Sequence, residues 1–287
     1  MISEKILDGK KLSEDLNQKL KEQIIEAHKK TGIKPKLATI LVGDNPASQV
    51  YIRIKHKTCE IVQIESVMVN LDKETTKEQL FKEIEKLNND STVHGLLLQI
   101  PLPDHLKEYT DEFIGSISPE KDVDGLNPKN AGNLFNYNEY LAPCTPKGII
   151  ALLENNGVEI QGKDVTIINR SNLVGKPLIF MLLKRNATVS VCHTKTKDIN
   201  KFIRNADILV VAVGRANFIT ADRVKEGVVI IDVGMNRVEG KLCGDVAFDE
   251  VLPKVAKITP VPGGVGPMTV HMLMQNTFNA YRNLVGI

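Results

Sequence analysis

The sequence carries almost no excess charge of either sign and no long apolar run. Its 37 Lys and Arg residues nearly balance its 35 Asp and Glu residues, which leaves a formal net charge of +2. That balance gives little attraction to nucleic acid or to an anionic membrane, so neither is expected as a partner. No stretch approaches the roughly 20 apolar residues that span a bilayer, and the charged start at Glu4 and Lys5 lacks the apolar core of a signal peptide. We therefore expect a cytoplasmic protein.

Cysteine is scarce and widely spaced. The four cysteines form no C-x-x-C or C-x-x-H pattern, and they are Cys59, Cys144, Cys192 and Cys243. This spacing does not support a zinc site or a redox pair. We expect small buried thiols in a reducing compartment, and no metal.

Length and composition are those of an ordinary globular protein. The 287 residues correspond to roughly two domains. With 42% apolar and 25% charged residues, the chain as a whole is not collagen-like, disordered or a coiled coil. We expect one domain over residues 1–143 together with a C-terminal helix over residues 268–287, and a second domain over residues 144–267.

Apolar runs and amphipathic segments alternate along most of the chain. Thr76 and Gln79 form a capping box at the start of one predicted helix, whereas residues 116–147, rich in Pro and Gly, are expected to be loop and linker. Buried strands are predicted over residues 37–42, 66–71, 93–100, 165–168, 188–192, 208–213 and 228–233. Apolar strands separated by helices predict a two-domain α/β fold with parallel sheets. The second domain is expected to be a Rossmann-like, doubly wound sheet, with the active site in a cleft between the domains.

The segment after the strand at residues 165–168 lies where doubly wound sheets bind a pyrophosphate. It runs from Asn169 through Arg170, Ser171 and Gly175 to Pro177 and then enters a predicted helix. The usual G-x-G-x-x-G is absent, because Asn169 and Ser171 stand at its first two glycine positions. Plain strand–turn–helix packing explains this segment equally well when it is taken alone.

The ends of the following strands favour NADP over NAD. Thr194 and Lys195 follow the next strand, where NAD-specific folds carry an acidic residue for the ribose hydroxyls. Together with Arg170 on the neighbouring loop, they suit a 2′-phosphate. Gly214 and Met235 follow two later strands, where glycine-containing turns let a flat ring approach the backbone. A solvated basic turn and ordinary tight turns are the alternatives.

A candidate chemical site combines a helix face with two polar residues elsewhere. Ser48, Tyr51 and Lys55 share one face of a predicted helix, and a lysine held there, partly shielded from water, can transfer protons. Such helix pairs are also common without any catalytic role. Gln99 is polar at the end of an otherwise apolar strand, and a buried amide needs partners. Asp124 lies in the Pro- and Gly-rich loop, where most carboxylates are merely solvated.

The stretch at residues 260–269 is unusually rich in Pro and Gly. Pro262, Gly263 and Gly264 lie at its centre, and such a composition forms a rigid loop with exposed backbone groups. A structural hinge is the alternative interpretation.

These segments together resemble the bifunctional methylenetetrahydrofolate dehydrogenase/cyclohydrolase family over nearly the whole chain. The resemblance rests on residues 51–55, 95–103, 119–128, 143–146, 170–177 and 260–269, which follow one another in the family's order. It implies an enzyme of tetrahydrofolate interconversion, in one-carbon metabolism and purine biosynthesis. The implied dehydrogenase oxidises 5,10-methylenetetrahydrofolate to 5,10-methenyltetrahydrofolate with NADP. The implied hydrolase then opens the methenyl species to 10-formyltetrahydrofolate.

The resemblance also implies a role for each candidate residue. Lys55 would be the acid/base group of the hydrolysis, and Gln99 would help set the protonation of Lys55. Tyr51 would orient the substrate from the helix face that also carries Ser48. Asp124 would hold the pterin edge of the substrate. The folate pocket would be shaped by Pro262, Gly263 and Gly264. The NADP site would include Asn169, Arg170, Ser171, Thr194, Gly214 and Met235.

Some expectations rest on the family pattern more than on the residues. The family is typically a homodimer, and we expect an unpaired sheet edge of the second domain to mediate it. Asn169 stands where many members have a glycine or another small residue, so altered cofactor affinity is expected. A dehydrogenase without the hydrolase, and a non-catalytic NADP-binding scaffold, are the alternatives. The intact Lys55 face argues against both.

Overall fold

The computed structural model describes residues 2–287, and residue 1, the first of the expected N-terminal domain, lies outside them. The helices in chain order are α1 (Ile2–Lys5), α2 (Gly9–Thr31), α3 (Pro46–Val62), α4 (Lys77–Asn89), α5 (Thr110–Ser116), α6 (Pro128–Phe135), α7 (Cys144–Asn155), α8 (Gly175–Lys184), α9 (Ile199–Asn205), α10 (Phe248–Val251) and α11 (Val265–Val285). The strands are β1 (Lys36–Val42), β2 (Glu65–Leu71), β3 (Gly95–Leu98), β4 (Asp164–Ile168), β5 (Thr188–Cys192), β6 (Ile208–Val211), β7 (Val229–Asp232), β8 (Asn236–Val238), β9 (Lys241–Cys243) and β10 (Lys257–Ile258).

The chain divides into two compact units. The 15–144 unit combines Asp15–Cys144 with Val270–Ile287, and the 145–269 unit combines Thr145–Thr269 with the N-terminal residues up to Glu14. The N-terminal segment belongs to the 145–269 unit because the Leu7 amide donates to the Ile258 carbonyl at 2.8 Å. The units therefore differ at the N-terminus from the expected boundaries, which begin the first domain at residue 1.

The 15–144 unit is built on a parallel sheet in the order β2-β1-β3. Apolar side chains of the central strand, of α4 and of α5 contribute to its core, including Ile40, Leu80, Ile84 and Phe113. Burying each such side chain contributes about 1.5–3 kcal/mol. The capping box is confirmed, since the Thr76 hydroxyl accepts from the Gln79 amide and the Gln79 side chain accepts from the Thr76 amide.

The expectation that residues 116–147 are loop and linker is wrong in part. Helix α6 lies within that segment, and Asn127 caps it by accepting a hydrogen bond from the Lys129 amide at 2.8 Å. Pro128 occupies the first turn of α6, where its missing N–H costs nothing. The proline that indicated a loop therefore starts a helix.

The 145–269 unit contains a five-stranded parallel sheet in the order β10-β7-β6-β4-β5. If the five strands β4, β5, β6, β7 and β10 are numbered 1 to 5 along the chain, their order from the β5 edge is 2-1-3-4-5. This is a doubly wound order, and its switch point lies between β4 and β6. Ile168 at the end of β4 lies in register with Cys192 on one side and Val211 on the other. The carboxyl ends of three strands thus meet at one edge, and the predicted α/β fold with parallel sheets is confirmed.

The cysteines agree with the expected thiols. All four are free, and Cys59, Cys144 and Cys192 are buried while Cys243 is partly exposed. Within residues 2–287 no helix combines the length and apolar character needed to cross a membrane.

Candidate functional site

Helix α3 carries three of the candidate residues on one face. Its first turn is held by Asn45, whose side-chain oxygen accepts from the Ser48 amide at 3.1 Å. Ser48 is buried, and Tyr51 and Lys55 are half-buried one and two turns further along. Burial raises the pKa of the Tyr51 phenol above its ordinary value, so this phenol stays neutral and keeps its proton for donation.

The Lys55 ammonium donates to the Gln99 side-chain oxygen at 3.0 Å. Gln99 lies just past β3, where its backbone amide donates to the Ile40 carbonyl at 2.9 Å. Its side-chain Nε2 donates to the Ile100 carbonyl at 2.7 Å, so the remaining oxygen faces Lys55. The Gln99 side chain is buried, at 9% exposure, which gives the amine a fixed neutral partner beside a water-accessible face.

The Asp124 carboxyl group interacts electrostatically with Lys55. Burial raises the pKa of its carboxyl group, while the positive charge of Lys55 and a hydrogen bond with Cys144 act in the opposite direction. The structure thus brings together Lys55, Gln99 and Asp124 from a helix, a strand end and a loop. An amine beside a carboxyl group of raised pKa can bind a nitrogen-containing ring and exchange a proton with it.

A second carboxylate, Asp122, was not among the predicted site residues, and it builds this loop. It is 1% exposed and accepts from the Gly125 amide at 3.1 Å, the Asn127 amide at 2.8 Å and the Asn130 side chain at 2.9 Å. These bonds fix the backbone on both sides of Asp124. The sequence signal for this role was the spacing of Asp122 from Asp124 and Gly125, which is typical of a turn. In the structure Gly125 has a positive φ.

In the 145–269 unit, the Asn169 side chain organises the turn after β4. Its Oδ1 accepts from the Ser171 amide and hydroxyl, each at 2.8 Å, and from the Gly175 amide at 3.0 Å. Its Nδ2 donates to the Ala212 carbonyl at 2.6 Å. A Cβ atom on Gly175 would lie 2.3 Å from the Asn169 carbonyl oxygen, so α8 can begin this close to the turn only with glycine there.

The predicted phosphate-binding side chains lie on adjacent turns. Arg170 and Thr194 are exposed, and the pairing of Ile168 with Cys192 places their two turns side by side at the carboxyl edge. His193 is used within its own turn, because its Nδ1 accepts from the Lys195 amide at 3.1 Å. No carboxylate follows β5 before Asp198.

Gly214 and Met235 follow β6 and β7 at the same edge of the sheet. Gly214 has a φ of 66° and Met235 is 52% exposed. Two buried carboxylates behind them, Asp232 and Asp245, were not predicted as functional. Each lies next to or near a glycine in the sequence, but most of their hydrogen-bond partners are backbone amides of distant segments.

The Pro- and Gly-rich loop is tightly packed within the 145–269 unit. Gly263 has a φ of 107°, and its carbonyl accepts from the Lys10 amide at 2.8 Å. A Cβ atom on Gly9 would lie 1.9 Å from the Gly264 carbonyl oxygen. Pro262 follows a cis peptide bond. Within residues 2–287 no group of three or more His, Cys, Asp or Glu side chains is arranged to hold a metal ion.

Comparison with known families covers both halves of the chain. Residues 7–124 match the model of the tetrahydrofolate dehydrogenase/cyclohydrolase catalytic domain, and residues 143–285 match that of the NAD(P)-binding domain of the same family. A bifunctional protein FolD of Agathobacter rectalis is 50% identical over 278 residues, which cover 96% of this chain and 99% of the relative.

Solved structures agree with this result. The bifunctional FolD methylenetetrahydrofolate dehydrogenase/cyclohydrolase of Campylobacter jejuni is 48% identical, with a TM-score of 0.93 over 97% of this chain and 98% of its own. The Trypanosoma brucei enzyme, solved with NADP cofactor and an inhibitor, is 36% identical, with a TM-score of 0.91 over 97% of each chain.

Proposed function

The chain belongs to the tetrahydrofolate dehydrogenase/cyclohydrolase family, and from this premise we propose how its residues carry the family's two reactions. It oxidises 5,10-methylenetetrahydrofolate to the methenyl species with NADP, and it hydrolyses that species to 10-formyltetrahydrofolate. The observation that carries the residue assignment is the hydrogen bond from the Lys55 ammonium to Gln99 at 3.0 Å.

The hydrolysis needs one group that both accepts and returns a proton. Water adds to the methenyl carbon while the neutral Lys55 amine removes a proton from this water molecule. The resulting ammonium then gives this proton to the ring nitrogen as the carbon–nitrogen bond breaks, and the hydroxyl proton is released as the formyl carbonyl forms. Gln99 fixes the amine and adds no charge beside it.

Substrate positioning is assigned to side chains that surround this amine. Tyr51 and Ser48 lie on the same helix face and orient the folate ring, while Asp124 accepts from its pterin edge. Correct orientation alone can account for several kcal/mol of a reaction barrier. We also assign Pro262, Gly263 and Gly264 to the folate pocket, on the support of their rigid backbone.

The carboxyl edge of the 145–269 unit fits a dinucleotide phosphate. Its doubly wound order places the switch point beside Asn169, with Ser171 in the turn that begins α8. Arg170 and Thr194, without a carboxylate between them, suit the 2′-phosphate. We assign Gly214 and Met235, which follow β6 and β7 at this edge, to the nicotinamide end. When bound, NADP accepts the hydride that leaves the one-carbon bridge.

Replacing Lys55 by Met tests the assignment. The wild-type protein should reduce NADP with methylenetetrahydrofolate and convert the methenyl intermediate onwards, whereas Lys55→Met should accumulate that intermediate, followed by its absorbance. Lys57→Met, which changes an exposed lysine of the same helix, is the matched control. Methenyl hydrolysis by Lys55→Met at the wild-type rate would remove Lys55 from the mechanism, and absence of turnover by the wild-type protein would contradict the function.

A dehydrogenase without the hydrolase is the second candidate. The contact between Lys55 and Gln99 argues against it, because a chain that had lost the hydrolysis would have no need to hold a buried amide against the amine. Accumulation of the methenyl species by the wild-type protein itself would favour this candidate.

The oligomeric state and the location are also proposals. Strand β5 is an edge strand, paired only with β4 among the described residues, and such an edge can pair with a second copy. We assign a homodimer to this edge, and a monomer in analytical ultracentrifugation would contradict it. A cytoplasmic location is supported by the four free thiols, and cell fractionation tests it.

A further inference from the structure

Asp245 is fully buried and binds the turn after β6 through three successive backbone amides. Its Oδ2 accepts from the Val213 amide at 2.6 Å and from the Gly214 amide at 3.1 Å, and its Oδ1 accepts from the Arg215 amide at 2.8 Å. Such charge-assisted bonds are about twice as strong as neutral ones. One carboxylate therefore fixes the backbone of residues 213–215.

The same carboxylate reaches the loop after β7. Asn236 donates through Nδ2 to Asp245 Oδ1 at 2.9 Å and to the Gly244 carbonyl at 3.1 Å. A Cβ atom on Gly234 would lie only 2.2 Å from the Asp245 carboxyl carbon, so the backbone comes this close because residue 234 is glycine. Asp245 thus ties together two loops that are far apart in the sequence.

Asp232 holds the backbone from which Asp245 projects. Its Oδ1 accepts from the amides of Asp245 and Gly234, both at 2.9 Å, and its Oδ2 accepts from the Val246 amide at 2.9 Å. Asp232 is 3% exposed. Burial raises its pKa to about 6, and the negative charge of Asp245 acts in the same direction.

Stability alone does not explain why two carboxylates are buried here. Burying a carboxylate costs several kcal/mol unless hydrogen bonds replace its water, and apolar side chains of similar size often stabilise a core better. What two carboxylates provide and apolar groups do not is a directed set of bonds to particular amides. Four of those amides, at residues 213–215 and 234, belong to the loops that carry Gly214 and Met235.

We propose that Asp245, held in place by Asp232, is a positioning residue for the dinucleotide. Asp245 holds residues 213–215 and 234–236 in the geometry that receives the nicotinamide end of the dinucleotide. This inference rests on the proposed function, because it takes Gly214 and Met235 as part of the NADP site. Asp245 itself acts through the backbone it binds and needs no contact with the cofactor.

Asp245→Asn is the test, because the shape is kept while an NH2 group now faces two of the donors. In the protein without cofactor, hydrogen exchange of residues 213–215 and 234–236 should accelerate. The dissociation constant and KM for NADP should each rise about tenfold, since only part of the free energy of the two lost bonds is needed again to order the loops around the dinucleotide. Hydrolysis of added methenyltetrahydrofolate consumes no dinucleotide and should keep its rate, which a general loss of structure would not allow. Asp249→Asn, at an exposed position of the same unit, is the matched control.

The possible outcomes are distinguishable. Unchanged exchange and unchanged NADP affinity in Asp245→Asn would overturn the inference while leaving the proposed function intact. A wild-type protein that binds no NADP would refute the proposed function and the inference with it. If Asp245→Asn does not fold, Asn236→Ala carries the test, since it removes the bonds from Asn236 to Asp245 and to the Gly244 carbonyl and keeps the bonds from Asp245 to residues 213–215. Weaker NADP binding by that variant supports the inference, and unchanged binding overturns it.

Discussion

The Lys55 ammonium and the Gln99 side-chain oxygen lie 3.0 Å apart, and the Gln99 amide nitrogen is already bound to the Ile100 carbonyl. The amide cannot turn round without losing both bonds, so Lys55 always meets an oxygen. This neutral acceptor holds the amine in place and adds no negative charge beside it.

Gln99→Glu should therefore slow the hydrolysis of the methenyl species. A carboxylate against the ammonium holds it in the charged form, which cannot accept a proton from water. We expect a loss of about tenfold near neutral pH and a displacement of the rising limb of the pH–rate profile to higher pH. Gln18→Glu, on the exposed side of α2, should leave the profile unchanged. A profile in Gln99→Glu that coincides with that of the wild-type protein would show that Gln99 does not set the protonation of Lys55.

Asp122→Asn should loosen the loop that carries Asp124. The amide group of asparagine would face at least one of the three donors that Asp122 now accepts from. We expect a loss of about 1–3 kcal/mol in the free energy of unfolding and a higher KM for the folate substrate. Urea unfolding and steady-state kinetics measure the two effects, with the exposed Asp111→Asn as control. Lower stability with an unchanged folate KM would mean that Asp122 does not position Asp124.

The strands were predictable because apolar runs report burial. The expected strand over residues 188–192 coincides with β5, and those at 165–168 and 37–42 each gain one residue at the start. The expected strand at 93–100 shortens to Gly95–Leu98. Val93 and His94 are buried, but Val93 closes a turn by donating to the Asp90 carbonyl. Apolar character thus identified the buried segment and could not tell ladder pairing from a turn.

The candidate site was only partly predictable for a related reason. Lys55, Tyr51 and Ser48 were accessible because helical spacing brings them together, and Gln99 because it is polar in an apolar strand. Asp232 and Asp245 bind backbone N–H groups, which every residue except proline has. Nothing in the side-chain sequence therefore specifies their partners until the sheet brings the loops after β6 and β7 together.

Arg170→Gln should reduce the preference for NADP over NAD. Arg170 is exposed beside the turn of Thr194, and a charge-assisted bond to the 2′-phosphate is worth about 1.5–3 kcal/mol. We expect the ratio of kcat/KM for NADP to that for NAD to fall about tenfold, with a smaller difference at high salt. Lys184→Gln, at the other end of α8, should keep the ratio. An unchanged ratio in Arg170→Gln would mean that another residue contacts the 2′-phosphate.

The pKa of Asp232 predicts a particular dependence of stability on pH. It lies at about 6 in the folded protein, against 3.8 for the ordinary value, so the folded state takes up this proton first as the pH falls. Relative to the non-titrating variant Asp232→Asn, the wild-type protein should therefore gain stability between about pH 6 and about pH 4, by about 3 kcal/mol in total.

Urea unfolding of both proteins across this range measures the difference, and other carboxyl groups cancel because both proteins contain them. Above pH 6 the difference should be constant, since Asp232 is ionised in the folded and unfolded chains alike. Asp249→Asn, which replaces an exposed carboxylate, should show no such gain. A difference between the wild-type protein and Asp232→Asn that stays flat from neutral pH down to about pH 4 would mean that the amides of Asp245, Gly234 and Val246 stabilise the Asp232 anion enough to cancel the cost of its burial.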